Sequence, residues 1–70
     1  MKITYDASVD ALYIRLIEGP VECEVIRLNE SVAINVGPQE QVVGIEVLDA
    51  SDILPGITDR KVQLENLVAA

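Results

Sequence analysis

Two aspartates four positions apart, Asp6 and Asp10, sit between the only two aromatic residues of the chain, Tyr5 and Tyr13, in the stretch TYDASVDALYIRL. Carboxylates this close can share a cation or divide acid and base roles, and tyrosines beside them can wall a pocket. The spacing argues against both uses. Calcium takes about 6–8 oxygen ligands, and an EF-hand loop sets its acids at alternate positions around a glycine. DASVD has neither the spacing nor the glycine. An aspartate at the head of a loop more often accepts backbone N–H bonds in an Asx turn, and Asp10 is placed to do likewise where the next apolar run begins. Both aspartates are read as turn residues.

A second constellation comes from strand alternation. Glu46 interrupts the apolar run VVGIEVL between Ile45 and Val47, where a charge is least expected. Parity puts Tyr13, Arg15, Asn35, Gly44 and Glu46 on one face. A Glu46 buried beside Tyr13 or Arg15 would have the perturbed acidity of many catalytic carboxylates. A solvent-facing Glu46 paired with Arg15 explains the same alternation without chemistry. An aromatic ring laid over a strand glycine covers exposed backbone, which gives Tyr13 and Gly44 a structural pairing. Tyr13, Arg15 and Glu46 are therefore the candidate ligand-binding group, and Asp6, Asp10 and Gly44 the structural one.

Covalent chemistry finds little support. Cys23 lies between Glu22 and Glu24, with no cationic neighbour to favour a thiolate, and the chain has no histidine to act as base. No phosphate-cradling glycine loop or serine–base pair occurs. No catalytic residue, metal site or cofactor is expected, and the chain is read as not an enzyme.

Composition bounds the rest. Seventy residues make one small domain, with a single cysteine and therefore no internal disulfide. Below roughly 70–80 residues a single core rarely supplies more than about 3–5 kcal/mol. Half of the residues are apolar, nearly all aliphatic, so a homo-oligomer, most simply a dimer, is expected to bury what the fold leaves open. The net charge of −7 comes from 12 acidic and 5 basic side chains, without Trp or Phe. That excludes direct nucleic-acid binding, which needs clustered Lys and Arg or aromatic stacking platforms. It favours a small basic protein as partner. No apolar run approaches a membrane span, and the N-terminal segment is not a signal region, so a cytoplasmic protein is expected.

The elements that must position these residues follow from period-two alternation. KITY, ALYIRLI, ECEVIRL, SVAINV and VVGIEVL read as strands. They are joined by the DASVD turn, a Gly19-Pro20 break, a two-residue Asn29-Glu30 hairpin and the GPQEQ loop. Short connections favour an antiparallel five-stranded meander. One face is aliphatic (Ile3, Leu12, Ile14, Leu16, Val32, Ile34, Val36, Val43, Ile45, Val47), and strand three offers it either Val25 or Ile26. The other face is half polar. DASDILPG makes at most a turn or two of helix, capped at Asp49 or Ser51. TDRKVQLENLVAA reads as an amphipathic helix capped by Thr58 or Asp59, with Leu64, Leu67 and Val68 on one side, although KVQL also alternates like a strand. The fold class is mainly β (α+β), a single domain over residues 1–70 with a C-terminal segment at 53–70.

Two blocks within this frame resemble a known family. Tyr5, Asp6, Asp10, Ala11, Leu12, Tyr13 and Ile14 match one pattern, and Val43, Gly44, Ile45, Glu46, Leu48, Ala50 and Ser51 a second. Together, over residues 2–52, they resemble the small bacterial proteins grouped as domain of unknown function 2283. The resemblance implies a compact β-rich fold and no established activity. Some members are thought to be encoded beside small toxins, which implies an antitoxin-like role. This chain departs from the pattern before the second block, where Asn35 and GPQEQ replace acidic, glycine-rich residues. The expected function is a non-enzymatic protein-interaction module, antitoxin-like in neutralising a basic partner. The alternative is a small-molecule or metal-binding domain using the face of Tyr13, Arg15 and Glu46.

Overall fold

The computed structural model describes residues 1–57 and 59. The strands are β1 (Lys2–Asp6), β2 (Ala11–Arg15), β3 (Glu24–Arg27), β4 (Val32–Val36) and β5 (Val42–Val47). A 3-10 turn spans Pro38–Glu40, and a short helix, α1, spans Ala50–Ile53. The five strands form one antiparallel sheet in the order β1-β2-β5-β4-β3. The mainly β, antiparallel five-stranded architecture with a short helix near the C-terminus is as expected from the alternation.

The meander is broken at one place. β1-β2 and β3-β4-β5 run as successive hairpins, but the chain leaves β2 and crosses to the far edge to begin β3. Residues 16–23 make this crossing at the end of the sheet. There Leu16 and Ile17 donate to the Val43 carbonyl at 2.8 and 3.3 Å. Val21 then packs on Gly37, where a Cβ would come within 3.0 Å of Val21 Cγ1. The most deeply buried strand, β5, takes the centre and carries the buried Val43, Gly44 and Val47. The four-residue β3, bounded by Glu24 and Arg27, is exposed throughout and takes an edge. Burial thus decides the order: the strand with most to hide is flanked on both sides.

Turn chemistry follows the side chains. The Asp6 carboxylate accepts from Ser8 N at 3.0 Å and Ser8 Oγ at 2.6 Å, making an Asx turn, and Asp10 leaves the loop at φ 53. The β3–β4 hairpin is not the tight two-residue turn expected from Asn29-Glu30. Asn29 Oδ1 instead accepts from Ser31 N and Val32 N, both at 2.8 Å, and holds a three-residue connection without positive φ. Asp49 does not cap α1 with its side chain. It turns the chain at φ 52, and Ser51 sends its hydroxyl elsewhere. The helix expected from Thr58 or Asp59 onward, with Leu64, Leu67 and Val68, lies outside the described residues apart from the exposed Asp59.

The register sorts the faces. Ile3, Ile14, Ile45, Ile34 and Ile26 share one row, and Tyr5, Leu12, Val47 and Val32 the next, so strand three gives Ile26 to the aliphatic face. A bulge between Asn35 and Val36 sets Val36 opposite Val42 and leaves Val43 as the extra residue. This face is less dry than the alternation implies. Leu12, Val47 and Ala50 form the buried cluster, with Tyr5, Ile14, Ile45 and Ile57 packed on it. Ile3, Leu16 and Ile26 stay 41%, 38% and 46% exposed. Burying a Leu or Val side chain contributes about 1.5–3 kcal/mol, so the cluster under α1 and Ile57 holds the fold while much of the sheet stays open.

Candidate functional site

Tyr13 and Glu46 are direct cross-strand neighbours, and Arg15 lies opposite Gly44. All four residues share one face, with Ala33 opposite Glu46 and Asn35 opposite Gly44 on β4. The hydroxyl end of the Tyr13 ring lies over Gly44. A Cβ built there would be 3.0 Å from Tyr13 Cε1 and closer still to Cζ and the hydroxyl. The glycine is therefore required by close approach, and the ring shields its backbone. Reaching across β5, the Tyr13 hydroxyl accepts from Asn35 Nδ2 at 2.8 Å. Asn35 Oδ1 is the one buried side-chain oxygen without a partner among the described residues.

Arg15 is not the partner of Glu46. Its Nε donates to the Ile17 carbonyl at 2.9 Å and its Nη2 to that of Gly19. The guanidinium fork clasps the chain as it leaves β2, and no ion pair joins it to Glu46. Glu46 lies opposite Tyr13 rather than Arg15, whose guanidinium is taken up by two carbonyls of the connection that follows β2. The three candidate binding residues thus share a face, but Arg15 serves the crossing connection and Tyr13 serves Gly44 and Asn35.

The tightest polar cluster forms around Asp10. Its Oδ1 accepts from the Tyr5 hydroxyl at 2.6 Å and from Ser51 N at 3.0 Å, and its Oδ2 accepts from Ser51 Oγ at 2.6 Å. The Asp10 carbonyl also accepts from Ala50 N at 3.0 Å. One aspartate in the left-handed region thus ties β1, the first turn and α1 together. The Ser51 hydroxyl, and after it the Tyr5 hydroxyl, hold the Asp10 carboxyl below the usual aspartate range. Ser8 does the same for Asp6, first through its hydroxyl and then its backbone N–H. The Tyr5 hydroxyl is raised, first by its hydrogen bond to Asp10 and then by burial and the charges of Asp10 and Asp6.

These directions bear on chemistry. A general base works best with a pKa near the operating pH. Asp10 is driven the opposite way, so it is a poor base toward Ser51 despite their contact. No group of three or more His, Cys, Asp or Glu side chains suited to a metal occurs among the described residues. Cys23 is exposed, and its Sγ donates to the Val21 carbonyl at 3.2 Å.

Two contacts of these clusters escape a reading of the sequence. Asn35 sits 22 positions from Tyr13, and Ser51 sits 41 from Asp10. Period-two parity places Asn35 on the polar face, as the register shows, but nothing local shows that Tyr13 reaches it across β5. For Ser51, the cap signal pointed to α1 itself rather than to a distant turn.

Fold and site together define a small single-sheet β domain whose polar side chains fasten turns and cover backbone. The chain belongs to the family described as protein of unknown function (DUF2283), whose model matches residues 2–51. Tyr5, Asp10, Tyr13, Gly44 and Ser51 of the two resembling blocks take part in these clusters, with Asn35 from outside the blocks. No curated protein and no solved structure matches the chain. Among the described residues, no helix is long and apolar enough to cross a membrane.

Proposed function

We propose that this domain works by binding protein rather than by catalysis, taking a small basic partner in an antitoxin-like manner and associating with a second copy of itself. The observation that carries the reading is the half-open aliphatic sheet. Among the described residues only Leu12, Ala33, Val43, Val47 and Ala50 are buried apolar side chains, whereas Ile3, Leu16, Ile26 and Leu28 are 38–59% exposed. Contiguous exposed apolar surface marks interaction sites. The net charge of −7 adds long-range attraction for a basic protein, which speeds encounter and weakens with salt. The aliphatic face would supply the contact and the acids the steering. Co-expression with the product of a neighbouring gene for a small basic protein is expected to give a complex at low salt that loosens at high salt. Ile26→Glu is expected to weaken it at every salt concentration. No complex, or one indifferent to Ile26→Glu, would overturn the reading.

A second reading is favoured by the unpartnered Asn35 Oδ1 beside Tyr13. It is a polar acceptor on the face of Arg15 and Glu46, and a small ligand offering a donor would satisfy it. Thermal shift against a metabolite and metal panel decides this reading. Stabilisation that Asn35→Ala removes would support it, and a flat panel would sink it.

A further inference from the structure

The sheet has two edges without a neighbouring strand among the described residues, β1 and β3. An edge strand presents unpaired amides and carbonyls that a further strand can take up. Which groups point outward follows from the hydrogen-bond phase, because residues of an antiparallel strand address their two neighbours alternately. Leu16 N donates to the Val43 carbonyl at 2.8 Å, so Leu12, Ile14 and Leu16 bond to β5 and Ala11, Tyr13 and Arg15 to β1. Opposite them, Lys2, Thr4 and Asp6 turn inward to β2. Ile3 and Tyr5 are left with outward-facing backbone groups.

We propose that two copies of this chain join antiparallel through β1, with Thr4 opposite Thr4 on a two-fold axis, making one continuous sheet. The inference deepens the self-association proposed above and rests on it. A two-fold axis perpendicular to the sheet must set one residue against itself. Centring on Lys2 or Asp6 brings like charges together, which is destabilising. Centring on Ile3 leaves Asp6 unmatched, and centring on Tyr5 runs Lys2 into the turn at Ser8. Only Thr4 engages all five residues of β1. It sets Lys2 against Asp6 of the second copy at both ends, and Ile3 against Tyr5. Each Ile3–Tyr5 pair exchanges two backbone hydrogen bonds.

The other edge fails the same test. Leu28 N donates to the Val32 carbonyl at 2.8 Å, which turns Glu24 and Ile26 inward and Val25 and Arg27 outward. An axis at Ile26 sets Val25 against Arg27 and Glu24 against Leu28. An axis at Val25 sets Glu24 against Ile26, and an axis at either end opposes like charges. No symmetric register of β3 matches opposite charges, so Glu24 and Arg27 blunt that edge while Lys2 and Asp6 set the register of β1. Directly opposed residues point to the same face. The two aliphatic faces therefore merge through Ile3 and Tyr5 into one broad surface on one side of the dimer.

Cross-linking in the full chain tests the register. In a Cys23→Ser background, Thr4→Cys brings two thiols together at a close pair, with Cα atoms about 4.5 Å apart, inside the range a disulfide accepts. Mild oxidation is expected to give a disulfide-linked dimer, whereas Ile3→Cys, which faces Tyr5, is expected to give almost none. Lys2→Glu replaces attraction by repulsion at both ends and is expected to weaken the dimer roughly tenfold in sedimentation equilibrium. Since Lys2 is exposed, unchanged far-ultraviolet circular dichroism will show that this variant still folds. A monomeric wild-type chain would overturn both this inference and the self-association it rests on. A dimer that neither cross-links through Thr4→Cys nor responds to Lys2→Glu would overturn the β1 register alone.

Discussion

Gly44→Val is expected to destabilise the domain by about 1–3 kcal/mol, the usual cost of forcing extra atoms into packed surroundings. The position is buried on the central strand, and the space a side chain needs is filled by the Tyr13 ring. Tyr13 would have to swing away, surrendering its hydrogen bond from Asn35 and leaving the whole Asn35 amide without a partner. Gly44→Ala meets the same ring and is expected to fall at the lower end of that range. The cost should come from the ring and not from the backbone, since Gly44 takes an ordinary strand conformation. In a Tyr13→Ala background the clash disappears, and Gly44→Ala is expected to become neutral or stabilising, because a strand glycine costs about 0.5–1 kcal/mol relative to alanine. A double-mutant cycle by urea melting measures this coupling. Additive single effects would show that Tyr13 and Gly44 do not act as a pair. For a domain of this size, each kcal/mol moves Tm by about 4–8 °C.

Asp10→Ala is expected to be the most damaging polar substitution in the first turn, more so than Asp6→Ala. It removes three hydrogen bonds that join β1 and α1, and it leaves alanine in a left-handed conformation that aspartate and asparagine tolerate better. Asp6 binds only its near neighbour Ser8. Asp10→Asn keeps the conformation and part of the bonding, so its melting point should fall between those of wild type and Asp10→Ala.

The same carboxylate gives a pH signature. Asp10 and Asp6 are held below the ordinary aspartate value in the folded chain. The unfolded chain therefore takes up protons first as pH falls, and the stabilisation is complete above the unfolded value near 4. It is lost progressively below that value, as pH falls through the depressed folded ones. Asp10→Asn should flatten this acid limb and Asp6→Asn should flatten it further. Tyr5 works in the opposite sense. Its folded value is raised, so its contribution is intact below about 10 and fades as pH climbs through the raised value. Melting curves from pH 2 to 11 would display both limbs, the alkaline one absent in Tyr5→Phe.

Much of this protein was legible from its residues in order. Alternation in KITY, ALYIRL, VAINV and VVGIEV located the strands and separated an aliphatic face from a polar one, because side-chain direction along a strand has a period of two and needs no partner. Asp6 and Ser8 declared their turn, since an Asx turn closes within three residues. The pairing of Tyr13 with Gly44 was also readable in outline, from an aromatic residue and a glycine on the same face.

Tertiary structure decided what no local period encodes. The crossing from β2 to the far edge depends on which strand has most to bury, a comparison among all five. That choice sets β5 between Tyr13 and Asn35, and it turns Arg15 to its own loop rather than to Glu46. The bond from Ser51 to Asp10 closes a loop of 41 residues, and neither end announces the other. Local preferences act within a few residues, whereas strand order and long-range hydrogen bonds depend on the burial of the whole sheet.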